Sequence, residues 1–271
     1  MDELIIEAGR AERHYWRDLW HYRELFMFLA WRDLLVRYKQ TVVGVAWSLI
    51  RPALAVLVLT VVGKVGKLPA GGVPYALFIA TAMLPWQFFS AALSESGNSL
   101  VGNSNLISKV YFPRLVIPAS SVITSFVDFL ITTAFVGGLM IWYHFTPPIN
   151  VWALPLFALL AFAASFGAGL WIAALMVEYR DFRFIVPFIM QFGLYASPVL
   201  VMTGKVPEHW RLIYCLNPVA GIIDGFRWCL LGHENTIYWP GLVSSVVGVI
   251  ALMLSGLYYF RKTERSFADV I

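Results

Sequence analysis

Few side chains in this sequence are placed to do chemistry, and several of those stand inside long apolar stretches. Asp128 lies near the middle of the apolar run Val116–Tyr143, where an ionised carboxylate costs on the order of a few kcal/mol unless it faces protein or water. Its neighbours Thr124, Ser125 and Thr132 offer local hydrogen bonds, which fits a satisfied packing role better than a proton relay. Arg51 lies only two turns into another apolar run, close enough to the end for its long arm to reach back to the water interface. The third pattern is aromatic. Phe184, Phe188, Phe192 and Tyr195 fall on one face of a helix, with Gln191 beside them, and Trp86, Phe88 and Phe89 cluster just after Pro85, a natural kink position. Such rings either pack between helices and against lipid, or form a wall on which flat ligand faces stack.

Catalysis finds no constellation here. His14 and His21 stand in the N-terminal segment, whereas His144, His209 and His233 fall on the opposite side of the membrane in the topology below, and no pair of loop acids has an obvious partner. A transferase or a metal site needs such groups converging on one face. A phosphate-cradling loop would need a hydroxyl after its Gly-Lys pair. Gly63-Lys64, Gly66-Lys67 and Gly204-Lys205 all lack one. No bound cofactor or metal is expected on this chain, and it does not read as an enzyme.

These side chains are carried on membrane spans. Of 271 residues, 59% are hydrophobic and 13% charged, with mean hydropathy +0.71, far too little polar surface for a soluble globule. About 20 apolar residues at ~1.5 Å rise cross a ~30 Å hydrocarbon layer. The fold class expected is therefore an all-α polytopic membrane protein with six spans, near Val45–Val62, Tyr75–Leu93, Val116–Tyr143, Val151–Val177, Phe184–Met202 and Gly241–Phe260. Residues 1–24 mix acids and bases with no apolar signal core, so the N-terminus is expected to stay in the cytosol.

With both termini cytosolic, only Lys64, Lys67, Lys205, Arg211 and Arg227 of the 20 basic residues fall outside, and Arg51 lies in a span. That bias is what the positive-inside rule predicts. The bases are spread over loops without a stacking platform, which argues against nucleic acid. Trp142, Trp152, Trp210 and Trp239 mark span ends on the outer side, as an interfacial belt does. Cys215 and Cys229, the only cysteines, read as two shielded free thiols or as an external disulfide.

Three segments are more than connectors. Residues 1–44 form a cytosolic segment in which Phe28, Trp31, Leu35 and Tyr38 share one side of a helix, with Arg32, Asp33, Arg37 and Lys39 largely on the others, the pattern of an amphipathic helix in the membrane interface. The inner loop 94–115 places Leu100, Ile107, Val110 and Tyr111 on one face of a short helix ended by Pro113. The external segment 204–240, within the membrane domain 45–260, contains two helix starts, at Pro207 and at Asn217-Pro218, the second with Asn as N-cap and Pro in the first turn. Beyond Pro218, Val219, Ile222, Ile223, Phe226 and Leu230 make an apolar stripe, and Asp224 and Arg227 sit on the other side. These two short helices either dip into the outer leaflet or lie on the surface. Residues 261–271 form a cytosolic tail.

Four strings, in order, resemble the membrane subunits of ABC transporters that export polysaccharides, a family including O-antigen, teichoic acid and capsule permeases. They are LLVRYKQTVVGVAWSLIRP (34–52), LPWQFFSAAL (84–93), SNLISKVYFPRLVIPAS (104–120) and LNPVAGIIDGFRWCLLG (216–232). With the six-span layout, the resemblance covers nearly the whole chain after residue 25. It implies a homodimer in the bacterial inner membrane bound to two copies of a separate ATPase that carries ATP and Mg, with lipid-linked polysaccharide threaded between the permease subunits. On that reading the aromatic stripes are channel-lining candidates that stack on pyranose rings. The side of the membrane and the family precedent together make Arg32, Asp33, Arg37, Tyr38, Asn98, Asn103, Asn105 and Lys109 the ATPase contact. Arg51, Arg180 and Arg183 become candidates for the lipid diphosphate, and Asn217, Pro218, Asp224 and Arg227 for an external gate. An exporter of drugs or small lipids built on the same permease type is the alternative, and a secondary transporter lacks the expected repeat and midplane charges.

Overall fold

The computed structural model describes residues 15–39, 44–232 and 237–267; Arg10, Arg13, His14 and His233, together with the start of the N-terminal segment and the end of the tail, lie outside them. The described residues are helical and contain no strand. In chain order the helices are α1 (Tyr15–His21), α2 (Arg23–Lys39), α3 (Gly44–Val65), α4 (Tyr75–Gly102), α5 (Ser104–Lys109), α6 (Val116–Trp142), α7 (Leu154–Glu178), α8 (Phe182–Tyr195), α9 (Glu208–Tyr214), α10 (Pro218–Leu230) and α11 (Trp239–Thr263). A 3₁₀ turn, Ile149–Ala153, runs directly into α7.

Among the described residues, five helices are long and apolar enough to cross a membrane: α3, α4, α6, α7 with its leading turn, and α11. The expected fifth span, Phe184–Met202, is not one helix. It stops at Tyr195, and 14 residues at ~1.5 Å each reach only about 21 Å, short of a ~30 Å core. The physical cause lies just beyond, at Ser197-Pro198, because a residue before proline is pushed out of helical geometry.

α4 is the central helix, packed against α3, α6, α7 and α10. Leu77, Phe78, Ile79, Trp86 and Phe88 are all buried in one apolar core. α7 and α11 approach so closely that a β-carbon on Gly256 would stand 2.3 Å from the carbonyl oxygen of Gly167, so only glycine permits that crossing. Trp142, Trp152 and Trp239 are strongly exposed at helix ends, where an interfacial belt places them.

A second, separate core joins Tyr15, Leu29, Leu100, Ile107, Phe112 and Phe260. It corrects the expected inner-loop helix. Leu100 belongs to the end of α4, α5 closes at Lys109 well before Pro113, and Val110 and Tyr111 are exposed while Leu100 and Ile107 are buried. The four do not share a face. Ile107 and Phe112 root the loop in this second core, leaving the residues between them outside.

Candidate translocation and coupling sites

α8 lies on the surface of the bundle. Its inner side is narrow: Val186 is buried, and Gly193 rests on the indole of Trp86, where an added β-carbon would meet Trp86 Cη2 at 2.7 Å. The opposite side carries Phe184 (78% exposed), Phe188, Gln191, Phe192 and Tyr195, all exposed, with the rings of Phe188 and Phe192 4.4 Å apart. The stripe expected from the sequence is thus one continuous unpartnered face.

The other aromatic cluster is placed differently. Phe88 is buried against Phe126, Phe129 and Phe162, at ring separations of 5.6, 5.3 and 6.4 Å, and Phe129 meets Phe226 of α10 at 5.9 Å. Trp86 and Phe89 are buried too, 6.2 Å apart. These rings join α4 to α6, α7 and α10, and Trp86 also bears on α8 at Gly193.

The chain beyond α8 turns over without helical hydrogen bonds, and side chains from distant elements replace them. Arg227 of α10, 1% exposed, donates to the carbonyl of Pro198 and, at 2.6 Å, to that of Val199, with its guanidinium 3.7 Å from the centre of the Phe78 ring. Tyr75 Oη reaches the carbonyl of Leu200 at 3.4 Å, and Asn217 Nδ2 donates to Ser197 Oγ at 2.9 Å. Asn217 also caps α10, its Oδ1 accepting from the N–H of Val219 at 3.0 Å ahead of Pro218. Arg227 therefore does not sit apart from the apolar stripe as expected: its charge is buried with that stripe because the open backbone needs its donors. Asp224, one turn earlier, is partly buried. Cys215 and Cys229 are buried free thiols.

α2 docks by its charged edge. Arg32 bonds Asp33 at 2.7 Å and Asn103 Oδ1 at 3.0 Å. Arg37 donates to the carboxylate of Asp128 on α6 and, at 2.5 Å, to Glu95 on α4, while Tyr38 donates to the other oxygen of Asp128. Asp128 is thus held from α2, not by its neighbours as expected. Thr132 bonds only its main-chain oxygen, and the hydroxyls of Thr124 and Ser125 bond main-chain oxygens of Ser120 and Ser121. Met27, Phe28, Trp31, Leu35 and Val36 of α2 remain exposed, whereas Tyr38 leaves the expected apolar stripe for Asp128. Of the coupling candidates, Arg32, Asp33, Arg37, Tyr38 and Asn103 are all bonded to partners of their own chain.

In the inner loop Asn98, Asn105 and Lys109 are exposed, Asn98 Nδ2 bonding Ser94 O at 2.8 Å and Asn103 Nδ2 bonding Ser99 O at 2.8 Å. A concavity of about 290 Å³ runs along Ile107–Phe112 and Arg114. Arg51 is exposed on α3, and Arg180 and Arg183 are exposed at the α7–α8 junction. No group of His, Cys, Asp and Glu suited to hold a metal occurs among the described residues.

Comparison with known proteins places this arrangement. The chain is 29% identical over 258 residues to an O-antigen export system permease protein RfbA of Klebsiella pneumoniae, covering 92% of this chain and 95% of that protein. A second protein of that name from the same organism is 28% identical with the same coverage. One from Myxococcus xanthus is 25% identical, covering 94% of this chain and 98% of that protein. The pattern of the ABC-2 type transporter family matches residues 24–231. Five membrane-length helices and a family match over most of the sequence lead to one conclusion: this multi-pass membrane protein belongs to the ABC-2 type transporter family.

Proposed function

We propose that this chain is the membrane subunit of an ATP-driven exporter that moves a lipid-linked, O-antigen-like polysaccharide out of the cytosol, through a channel between two copies of the chain. The observation that carries this reading is the exposed face of Phe184, Phe188, Gln191, Phe192 and Tyr195. A ladder of rings with one amide suits a sliding glycan, which needs many weak stacking contacts and no tight one. The full-length likeness to O-antigen export permeases supports the same substrate class.

On this reading α8 and the turn after it make a sixth crossing, so that both termini lie in the cytosol and the membrane is the bacterial inner membrane. The turn at Pro198–Leu200 supports a dip of α9 and α10 into the outer leaflet, since open backbone at membrane depth requires donors supplied by protein, as Arg227 and Tyr75 supply them. Asn217, Pro218, Asp224 and Arg227 then frame an external gate. Two copies of a separate ATPase bind ATP and Mg and contact the inner loop through Asn98, Asn105 and Lys109, with Arg32, Asp33 and Asn103 behind them. Arg51, Arg180 and Arg183 meet the lipid diphosphate. Trp86, Phe88 and Phe89 hold the channel wall in place without lining it.

The test is to co-express the chain with candidate ATPase subunits, purify through a tag on this chain, and measure ATP hydrolysis with and without lipid-linked polysaccharide. A stable complex whose hydrolysis responds to glycan lipid supports the proposal. Stimulation by drugs or simple lipids alone replaces the substrate class, and failure to recruit any ATPase overturns the coupling.

A further inference from the structure

The cytosolic side holds a partly buried carboxylate that the translocation reading does not use. Glu264 follows the last residue of α11. Its Oε1 accepts the backbone N–H of Arg114 at 2.7 Å and its Oε2 accepts the hydroxyl of Tyr15 at 3.1 Å. Its main-chain carbonyl accepts the guanidinium of Arg114. Arg261 lies over the Tyr15 ring at 4.6 Å, and Phe267, fully buried, meets Phe260 at 5.4 Å. One residue therefore joins three places far apart in sequence: α1, the last span, and the returning limb of the inner loop.

That limb matters because of what precedes it. The loop leaves α4 at Gly102, forms α5, and returns through Phe112 and Pro113 to Arg114. Ile107 and Phe112 are buried in the second core, whereas Ser108, Lys109, Val110 and Tyr111 are exposed beside the 290 Å³ concavity. The outward stretch thus hangs between an apolar root at Ile107 and the double hydrogen bond of Arg114 to Glu264. Without the carboxylate, the backbone N–H of Arg114 loses its acceptor and the Tyr15 hydroxyl loses one of its bonds, and such losses favour local opening.

We infer that Glu264 is a positioning residue for the inner loop, clamping it to α1 and to the end of α11 so that the loop, the N-terminal helix and the last span move as one body. This rests on the reading of the inner loop as the ATPase contact, because only then does a load on Ser108–Tyr111 have to reach the spans. A loop tied only to α4 and α6 would deliver that load to two helices. The Glu264 bracket delivers it to α11 as well, and α11 lies against α7 and α10.

The test labels the full-length chain in nanodiscs with a nitroxide at Ser108→Cys, the buried Cys215 and Cys229 staying unlabelled, and records the spectrum with Glu264, Glu264→Ala, Glu264→Gln and Tyr15→Phe. A second label at Lys205→Cys, on the far side of the bundle, reports general loosening. The immobilised component at position 108 should be lost in Glu264→Ala, partly lost in Tyr15→Phe, and retained in Glu264→Gln, whose amide oxygen still accepts from Arg114 and whose NH₂ faces the tyrosine oxygen. The label at 205 should not change. An equally immobile 108 label in Glu264→Ala, or equal loosening at both labels, overturns the clamp; should Glu264→Ala fail to fold, Tyr15→Phe decides by the same criteria. In complex with the ATPase, Glu264→Ala should hydrolyse more ATP per polymer exported, and an unchanged ratio overturns the role in transmission. The underlying reading fails separately: if Asn105→Ala with Lys109→Ala leaves ATPase recruitment and hydrolysis intact, the loop is not the contact, whatever the labels report.

Discussion

Gly193 and Trp86 meet where α8 touches the bundle, with room for a hydrogen and no more: a β-carbon on Gly193 would stand 2.7 Å from Trp86 Cη2. Trp86 is buried in the main core and cannot swing aside without disturbing Phe89, 6.2 Å away. Gly193→Ala should cost about 1–3 kcal/mol, the usual penalty of overpacking. Adding Trp86→Phe should recover part of it, and thermal unfolding of the purified chain measures both.

The exposed side of α8 should behave in the opposite way. Phe188→Ala with Phe192→Ala removes two surface rings, so stability should stay within about 0.5 kcal/mol. At about 1 kcal/mol of lost stacking each, export of lipid-linked glycan should slow roughly 30-fold. Glycan export in cells with expression matched by blotting checks this, and an unchanged rate removes the stripe from the path.

Arg227 should be among the least replaceable residues. Its alanine variant leaves the carbonyls of Pro198 and Val199 without donors in a buried site, a loss of about 1–3 kcal/mol for each. Lysine keeps the charge over Phe78 but lacks the fork that serves two carbonyls at once. Arg227→Lys should therefore fall between wild type and Arg227→Ala in melting temperature.

The Arg37–Asp128 pair is partly buried, 30% and 26% exposed, and a charge-assisted hydrogen bond in such a setting contributes about 1–3 kcal/mol. Asp128→Asn should cost about that much. Exchanging the charges, Arg37→Asp with Asp128→Arg, should recover part of what either change alone loses. A double-mutant cycle on unfolding measures the coupling, and strict additivity would exclude it.

Burial raises the carboxyl of Glu264 above its usual value of 4.5, against the lowering pull of its bonds to Arg114 and Tyr15. The folded protein therefore holds this proton to higher pH than the unfolded chain does. The resulting stability is fully present below pH 4.5 and is lost as pH rises through the raised value. Melting temperatures of wild type and Glu264→Gln should accordingly diverge in favour of the glutamine variant as pH rises from about 4.5. Parallel curves would show that Glu264 does not titrate in this way.

Much of the architecture was legible because its causes are local. Apolar length sets α3, α4, α6, α7 and α11, and the Asn217-Pro218 pair sets the start of α10 through its own cap and ring. The aromatic face of α8 is likewise a matter of spacing along one helix. The rest depends on partners distant along the chain. The sequence marks α2 as amphipathic but does not say that its charged edge turns inward, since Asp128 lies 91 positions from Arg37. Arg227 reads as a surface base on a short helix until the open turn at Pro198, 29 positions away, needs its donors. Hydrophobic length and caps act within one or two turns and survive in a one-dimensional reading. The pairing of buried charges is settled when helices pack, because desolvation forces each charge to find whichever donor or acceptor the fold brings near.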